Sequence, residues 1–190
     1  MPPSRSAPAA TVYTLGHGTR SSEELVEVLR GADVGRLVDV RRWPASRRHP
    51  RFGRELLGPF LTGRDIVYEW WGEELGGRRG APKDRISRHS ALTNASFRNF
   101  ADHMDTPEFR EALGALETSA EMGPPVALMC AETLWWRCHR RLISDALSLR
   151  GIEVVHLLDP HKRQNHPFHE AARPDASGAP VYDVGALPLA

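Results

Sequence analysis

Short apolar runs alternate along the chain with longer stretches whose apolar residues recur every three or four positions, the pattern of strands interleaved with helices. The clearest unit lies between Pro125 and Asp159, where an apolar run from Val126 to Met129 stops at Cys130. A helical pattern begins about eight residues later, ends at Gly151 and hands over to a second apolar run, Ile152 to Leu158. This reads as a β-loop-α-β unit. In open parallel sheets the loop leaving the first strand's carboxyl end is where ligands bind, and here it carries Cys130, Glu132, Arg137, Cys138, His139 and Arg140.

The remaining segments fit around that unit. Thr11 to Leu15 reads as a strand, Gly16 to Arg20 (GHGTR) as a glycine turn, and Ser21 or Ser22 as the cap of a helix with Leu25, Val26 and Leu29 on one face. Leu37 to Val40 predicts a strand, Arg54 to Leu61 a short helix, and Asp65 to Trp71 a third strand. Two covering helices follow, one with Phe97, Phe100, Ala101 and Met104 on a face, the other carrying Phe109, Leu113 and Leu116 after Thr106-Pro107. After Asp159 the chain is polar and proline-rich, which predicts a surface loop offering His161, His166 and His169, before a last short strand at Val181 to Val184. Residues 1–10 read as a disordered leader and 11–190 as one α/β domain. Its largely parallel sheet would be flanked by helices in a Rossmann-like, three-layer arrangement.

Charge changes the picture through its distribution. The net charge of the 190 residues is only +1, but all 25 basic side chains except Lys83 and Lys162 are arginines, whose planar forks suit phosphate and carboxylate. Arg41, Arg42, Arg47, Arg48, Arg51 and Arg54 fall in a stretch that also holds His49, Trp43 and Phe52 and no acidic residue. Such a run resembles a phosphate-backbone contact more than a solvated face of mixed sign. Arg78, Arg79, Lys83, Arg85 and Arg88 renew the charge after the Trp70-Trp71 pair, so bases could be stacked and phosphates clamped. The two cysteines make no disulfide framework, and the sequence shows no signal-peptide core and no membrane span. The expectation is a protein of the reducing cytoplasm with free thiols and no membrane partner.

The central loop offers several chemistries. Cys130, at a strand end before a helix and near Arg137 and Arg140, has the address of a nucleophilic thiolate; buried structural cysteine is the plainer reading. Glu132, the only carboxylate of the loop, can position an arginine or a sugar hydroxyl, or act as a base. His139 can serve as acid, base or phosphate donor, while Cys138 aligns with Leu142, Ala146 and Leu149 on an apolar stripe. Cys130, Cys138 and His139 match no familiar zinc knuckle or finger, and no metal is assigned. Cys130 and Arg137 stand one residue further apart than the cysteine and arginine of phosphotyrosine phosphatases, whereas the strand order and the Asp39-Val40-Arg41 and Cys130 strand ends loosely resemble rhodanese sulfurtransferases.

Taken in order, YTLGHGTRSSEELVEVLR, LVDVRRWPASRRHPRF, the LGGR loop at Leu75 to Arg78, LMCAE, CHRRLISDAL and RGIEVVHLLD resemble the bacterial family catalogued as domain of unknown function 488, over about Thr11 to Pro167. The resemblance points to Gly16, His17, Arg20, Asp39, Arg41, Pro44, Ser46, Phe52, Gly76, Gly77, Cys130, Glu132, Cys138, His139 and Arg140 as motif positions. It implies no activity and no cofactor. Leu134, Trp135 and Trp136 fill the loop where a more polar segment is expected.

The leading expectation is a nucleotide or nucleic-acid phosphate bound across the strand ends. His17, Arg20, Asp39, Arg41, Arg47, Arg48, Arg51, Arg137 and Arg140 would form the binding site, with Glu132, His139 and Cys130 available for catalysis. A phosphorylated small molecule is an equivalent partner. Two alternatives stand beside it: a rhodanese-like thiol enzyme using Cys130, and a nucleic-acid module with no catalysis. Cofactor and oligomeric state are open.

Overall fold

The computed structural model describes residues 10–45 and 49–185; the expected leader, Ala10 apart, and two predicted phosphate ligands, Arg47 and Arg48, lie outside them. In chain order the elements are β1 (Thr11–Gly16), α1 (Ser22–Arg30), β2 (Arg36–Asp39), α2 (Arg54–Thr62), β3 (Val67–Trp70), α3 (Gly72–Leu75), α4 (Ala95–Met104), α5 (Pro107–Met122), β4 (Val126–Cys130), α6 (Arg140–Leu149), β5 (Glu153–Leu157), β6 (Arg163–Asn165), β7 (Ala172–Pro174) and β8 (Pro180–Tyr182). Polar caps start three of the helices, α1 at the Ser21 that the sequence offers. Ser21 and Glu24 form a reciprocal capping box on α1, Asn94 accepts from two amides of α4, and Thr106 caps α5 ahead of Pro107.

The sheet order is β3-β2-β4-β1-β5-β6, parallel except for β6. From β1 the chain steps one way to β2 and β3, then back the other way to β4 and β5. Right-handed crossovers therefore place α1 and α2 on one face and α4, α5 and α6 on the other. The three-layer α/β expectation holds. One core packs Leu15, Leu37 and Met129 against Leu25, Leu29, Leu57 and Leu61; the other packs Val38, Val40 and Leu128 against Phe100, Phe109, Leu113, Leu142 and Ile143. Burial on both faces is why Val126 to Met129 is continuously apolar instead of alternating.

The last thirty residues or so depart from the predicted loop. Arg163–Asn165 is exposed yet pairs antiparallel with β5, and β8 pairs with β7 in a separate hairpin. A short, charged edge strand carries no apolar alternation, so its signal lies in backbone pairing alone.

The reversal of direction puts a crevice between the ends of β1 and β4, and the chain fills it. His17 and Gly18 donate their amides to the carbonyls of Cys130 (2.9 Å) and Ala131 (3.0 Å). A Cβ on Gly16 would lie 1.9 Å from the Glu132 carbonyl oxygen. Gly16→Ala is therefore expected to destabilise the fold by about 3 kcal/mol, the upper end for overpacked sites, in urea unfolding. Gly114→Ala, in α5 and 3.8 Å from only the tip of Arg150, should instead stabilise by about 0.5–1 kcal/mol.

Candidate functional site

At the end of β2 the buried Asp39 carboxylate accepts from Arg41 through its backbone N, its Nε (2.8 Å) and its Nη2, and from Tyr68 Oη (2.7 Å). Arg41 also donates to the Phe52 carbonyl at 2.7 Å and faces His17 Nε2 at 3.2 Å. His17 Nδ1 donates to the Gly18 carbonyl, its ring stacks on Phe52, and its Nε2 lone pair meets the guanidinium. Burial first, then Arg41, lowers its pKa to about 4. This imidazole is neutral.

The other predicted phosphate-binding arginines turn to backbone carbonyls. Arg20 donates to Gly16 and Leu158, and Arg51 to Arg20 (2.9 Å) and Thr19 (3.1 Å). Arg140, 1% exposed, donates to the Glu132 carbonyl, to Thr14 Oγ1 and to Cys138 Sγ (3.4 Å). Glu132 itself accepts from the Leu134 amide and so holds the loop's own turn. Arg137 is exposed.

From Arg140 a polar chain runs back through the interior. Thr14 Oγ1 lies 2.7 Å from His156 Nδ1, His156 Nε2 lies 3.0 Å from His166 Nδ1, His166 Nε2 lies 2.9 Å from Asp145, and Tyr182 Oη donates to the same carboxylate. Donors and acceptors match along the whole path with both imidazoles neutral. Trp135 stacks on His156, 4.3 Å between centroids, and burial, then His166, lowers the His156 pKa to about 3. His166, left without a role by the sequence, is thus the link between the C-terminal hairpin and the central loop, whereas His161 stays exposed.

The three-residue turn Trp135–Arg137 brings together what sequence spacing keeps apart. Cys130 Sγ, Cys138 Sγ and a ring nitrogen of His139 lie within 4.8 Å of one another, both thiols being free. Burial pushes the Cys138 thiol up, but the Cys130 thiol, Arg140 and His139 outweigh it and bring it down. Cys130 is pushed up by the same thiol contact and by burial.

An open cleft lies beside the end of β2. A cavity of about 560 Å³ is lined by Arg42, Trp43, Arg78, Arg79, Arg85, Asn99, Asp102 and His103 among others. A second, of about 390 Å³, shares Arg42 and Trp43 and extends past Arg54 and Trp70. Trp43 is 62% exposed, with the Arg42 guanidinium 5.7 Å from its ring. Arg79 donates only to main-chain carbonyls; burial, then repulsion by Arg42, lowers its pKa to about 10. Arg42, Arg78 and Arg79 form no ion pair with a carboxylate among the described residues. Asp102 closes one end, 4% exposed and with neither carboxylate oxygen hydrogen-bonded; Arg85 Nη2 stands 3.8 Å from it. The sequence hint for Asp102 is a carboxylate on the buried face of α4, beside Phe100, Ala101 and Met104.

The model of the family described as domain of unknown function DUF488 matches residues 21–147. The chain belongs to this family. The match takes in α1 to most of α6, and therefore both the Asp39-Arg41 pair and the Cys130-Cys138-His139 cluster of this DUF488 chain. Comparison with curated proteins and with solved structures finds no match. Among the described residues no helix is long and apolar enough to cross a membrane.

Proposed function

We propose that this DUF488 chain binds single-stranded nucleic acid along the groove on either side of Arg42 and Trp43. The observation that carries the reading is three guanidinium groups, Arg42, Arg78 and Arg79, around one open cavity with no carboxylate paired to them. Mutual repulsion there is relieved by an anion, and a polyanion adds counterion release. Trp43 stands exposed between two cavities that share it, as a platform on which a base can stack while phosphates pass the arginines on both sides. The groove replaces the strand ends as the proposed phosphate site, because Arg20, Arg41 and Arg140 already donate to groups inside the protein and the exposed Arg51 is turned to the Arg20 and Thr19 carbonyls.

Arg78 adds a second support. It holds φ +58°, a left-handed conformation that costs a side-chain-bearing residue about 1–2 kcal/mol, directly after Gly76 and Gly77. A glycine would sit there without strain. Strain retained at an exposed cation is what a ligand-binding position looks like.

The test is fluorescence anisotropy with a labelled single-stranded 12-mer across a salt series. Binding should weaken steeply with salt, by a log-log slope of about 0.7 per phosphate neutralised. Arg42→Ser with Arg78→Gly should lower the slope by about one to two, and Trp43→Ala should cost about 1–3 kcal/mol of binding. Arg78→Gly should not lower the melting temperature. Unchanged affinity in the double variant, or competition by mononucleotide as strong as by the oligonucleotide, would overturn the reading.

A further inference from the structure

The geometry points to a soft divalent cation site, of zinc type, made by Cys130, Cys138 and His139. Two sulfurs and an imidazole nitrogen within 4.8 Å of one another are the donor set and spacing that tetrahedral zinc takes, and the Cys138 sulfur is 3.6 Å from His139 Nδ1, close to a ligand-ligand edge. Three protein donors leave a fourth position for water or a ligand, as in catalytic sites.

The surroundings orient the donors. His139 Nε2 lies 3.1 Å from the Val40 carbonyl and donates to it, which fixes the tautomer with the Nδ1 lone pair turned toward the sulfurs; ligating histidines are held by such a second bond. Gly77 packs on the same ring, a Cβ there falling 2.8 Å from Nδ1, and Phe100 meets it edge-on. Arg140 donates to the Cys138 sulfur, a bond that suits a metal-bound thiolate. The imidazole thus has one acceptor, a packed face and an Nδ1 lone pair that meets the Cys138 thiol. Binding would release the two thiol protons to solvent, with no change of oxidation state. Val40 precedes the Arg41-Arg42 segment and Gly77 precedes Arg78, so the cation would pin both walls of the arginine groove from beneath.

The test uses the full chain, reduced, exposed to Zn²⁺ and desalted, with metal content measured by mass spectrometry, and to Co²⁺ with absorption spectra. The expected result is one zinc retained per chain, and tetrahedral Co²⁺ bands with a thiolate charge-transfer band that zinc displaces. Cys130→Ser with Cys138→Ser should abolish both. His139→Gln should weaken affinity at least about tenfold, and Gly77→Ala should do the same by displacing the ring. The cobalt spectrum needs only the unaltered chain, so a variant that fails to fold leaves the test intact. The site is refuted if no metal is retained while both thiols titrate as free. It is refuted equally by a metal-free mass lower by two hydrogen atoms, marking a disulfide, or by a sulfur adduct on Cys130 after thiosulfate with no metal bound. Arg42→Ser with Arg78→Gly should leave zinc retention unchanged, which separates this site from oligonucleotide binding.

Discussion

Replacing Arg41 with methionine is expected to cost the fold about 3–5 kcal/mol, the penalty for stranding a buried charge. Asp39 is 0% exposed and receives three of its four hydrogen bonds from Arg41. The methionine side chain would leave it the residue's backbone amide and Tyr68 only. The Phe52 carbonyl would lose its donor as well, loosening the chain between β2 and α2 where Arg42 and Trp43 begin the groove. Adding Asp39→Asn should recover part of the loss, since a neutral amide can still accept from Tyr68 and the amide of residue 41. Urea unfolding of the single and double variants measures this; a single-variant loss below about 1 kcal/mol would mean that water reaches the carboxylate.

Helices and parallel strands were legible because apolar spacing is fixed by the geometry of the elements, and the starts at Ser21 and at Thr106-Pro107 are chemically marked. The central loop was legible as a place. Its roles were not, because a sequence counts charges without showing where they point. Arg20, Arg41, Arg51 and Arg140 are all cations near the strand ends, yet each donates to main-chain carbonyls that no strand or helix satisfies. Buried carbonyls need donors, and a guanidinium fork reaches two at once. Arg42 comes from the same run as Arg41 and Arg51, Arg78 and Arg79 from the later one, and all three line a cavity, Arg79 with two of its nitrogens already on main-chain carbonyls. Likewise Cys138 kept the apolar stripe's periodicity but sits before α6, because the turn at Trp135–Arg137 delays the helix and swings the thiol to Cys130.

Acid is expected to destabilise this protein well before its carboxylates titrate, because two buried imidazoles are neutral when folded. His17 and His156, 3% and 1% exposed, have folded pKa values near 4 and 3 against 6.5 when unfolded. Between 6.5 and those values the unfolded chain binds the extra protons. Stability is therefore complete above pH 6.5 and falls as the pH drops, the loss ending only below about pH 3. Each histidine contributes a slope of about 1.4 kcal/mol per pH unit, so near pH 5 the pair should give close to twice that, enough to consume much of an ordinary domain's stability. His103 and His169, also lowered chiefly by burial, add in the same direction. Unfolding by urea at several pH values between about 7 and 4.5 gives the slope as protons taken up. His156→Gln should remove about one proton from it. Arg41→Met should reduce it too, because the guanidinium is the second cause of the low His17 value and its loss lets that imidazole titrate nearer 6.5. A flat profile over this range would mean that these rings already carry charge in the folded state. The hydrogen bond at Thr14 would then be reversed, a protonated His156 Nδ1 donating to the hydroxyl that also accepts from Arg140, while His156 Nε2 still donates to His166 and His166 to Asp145.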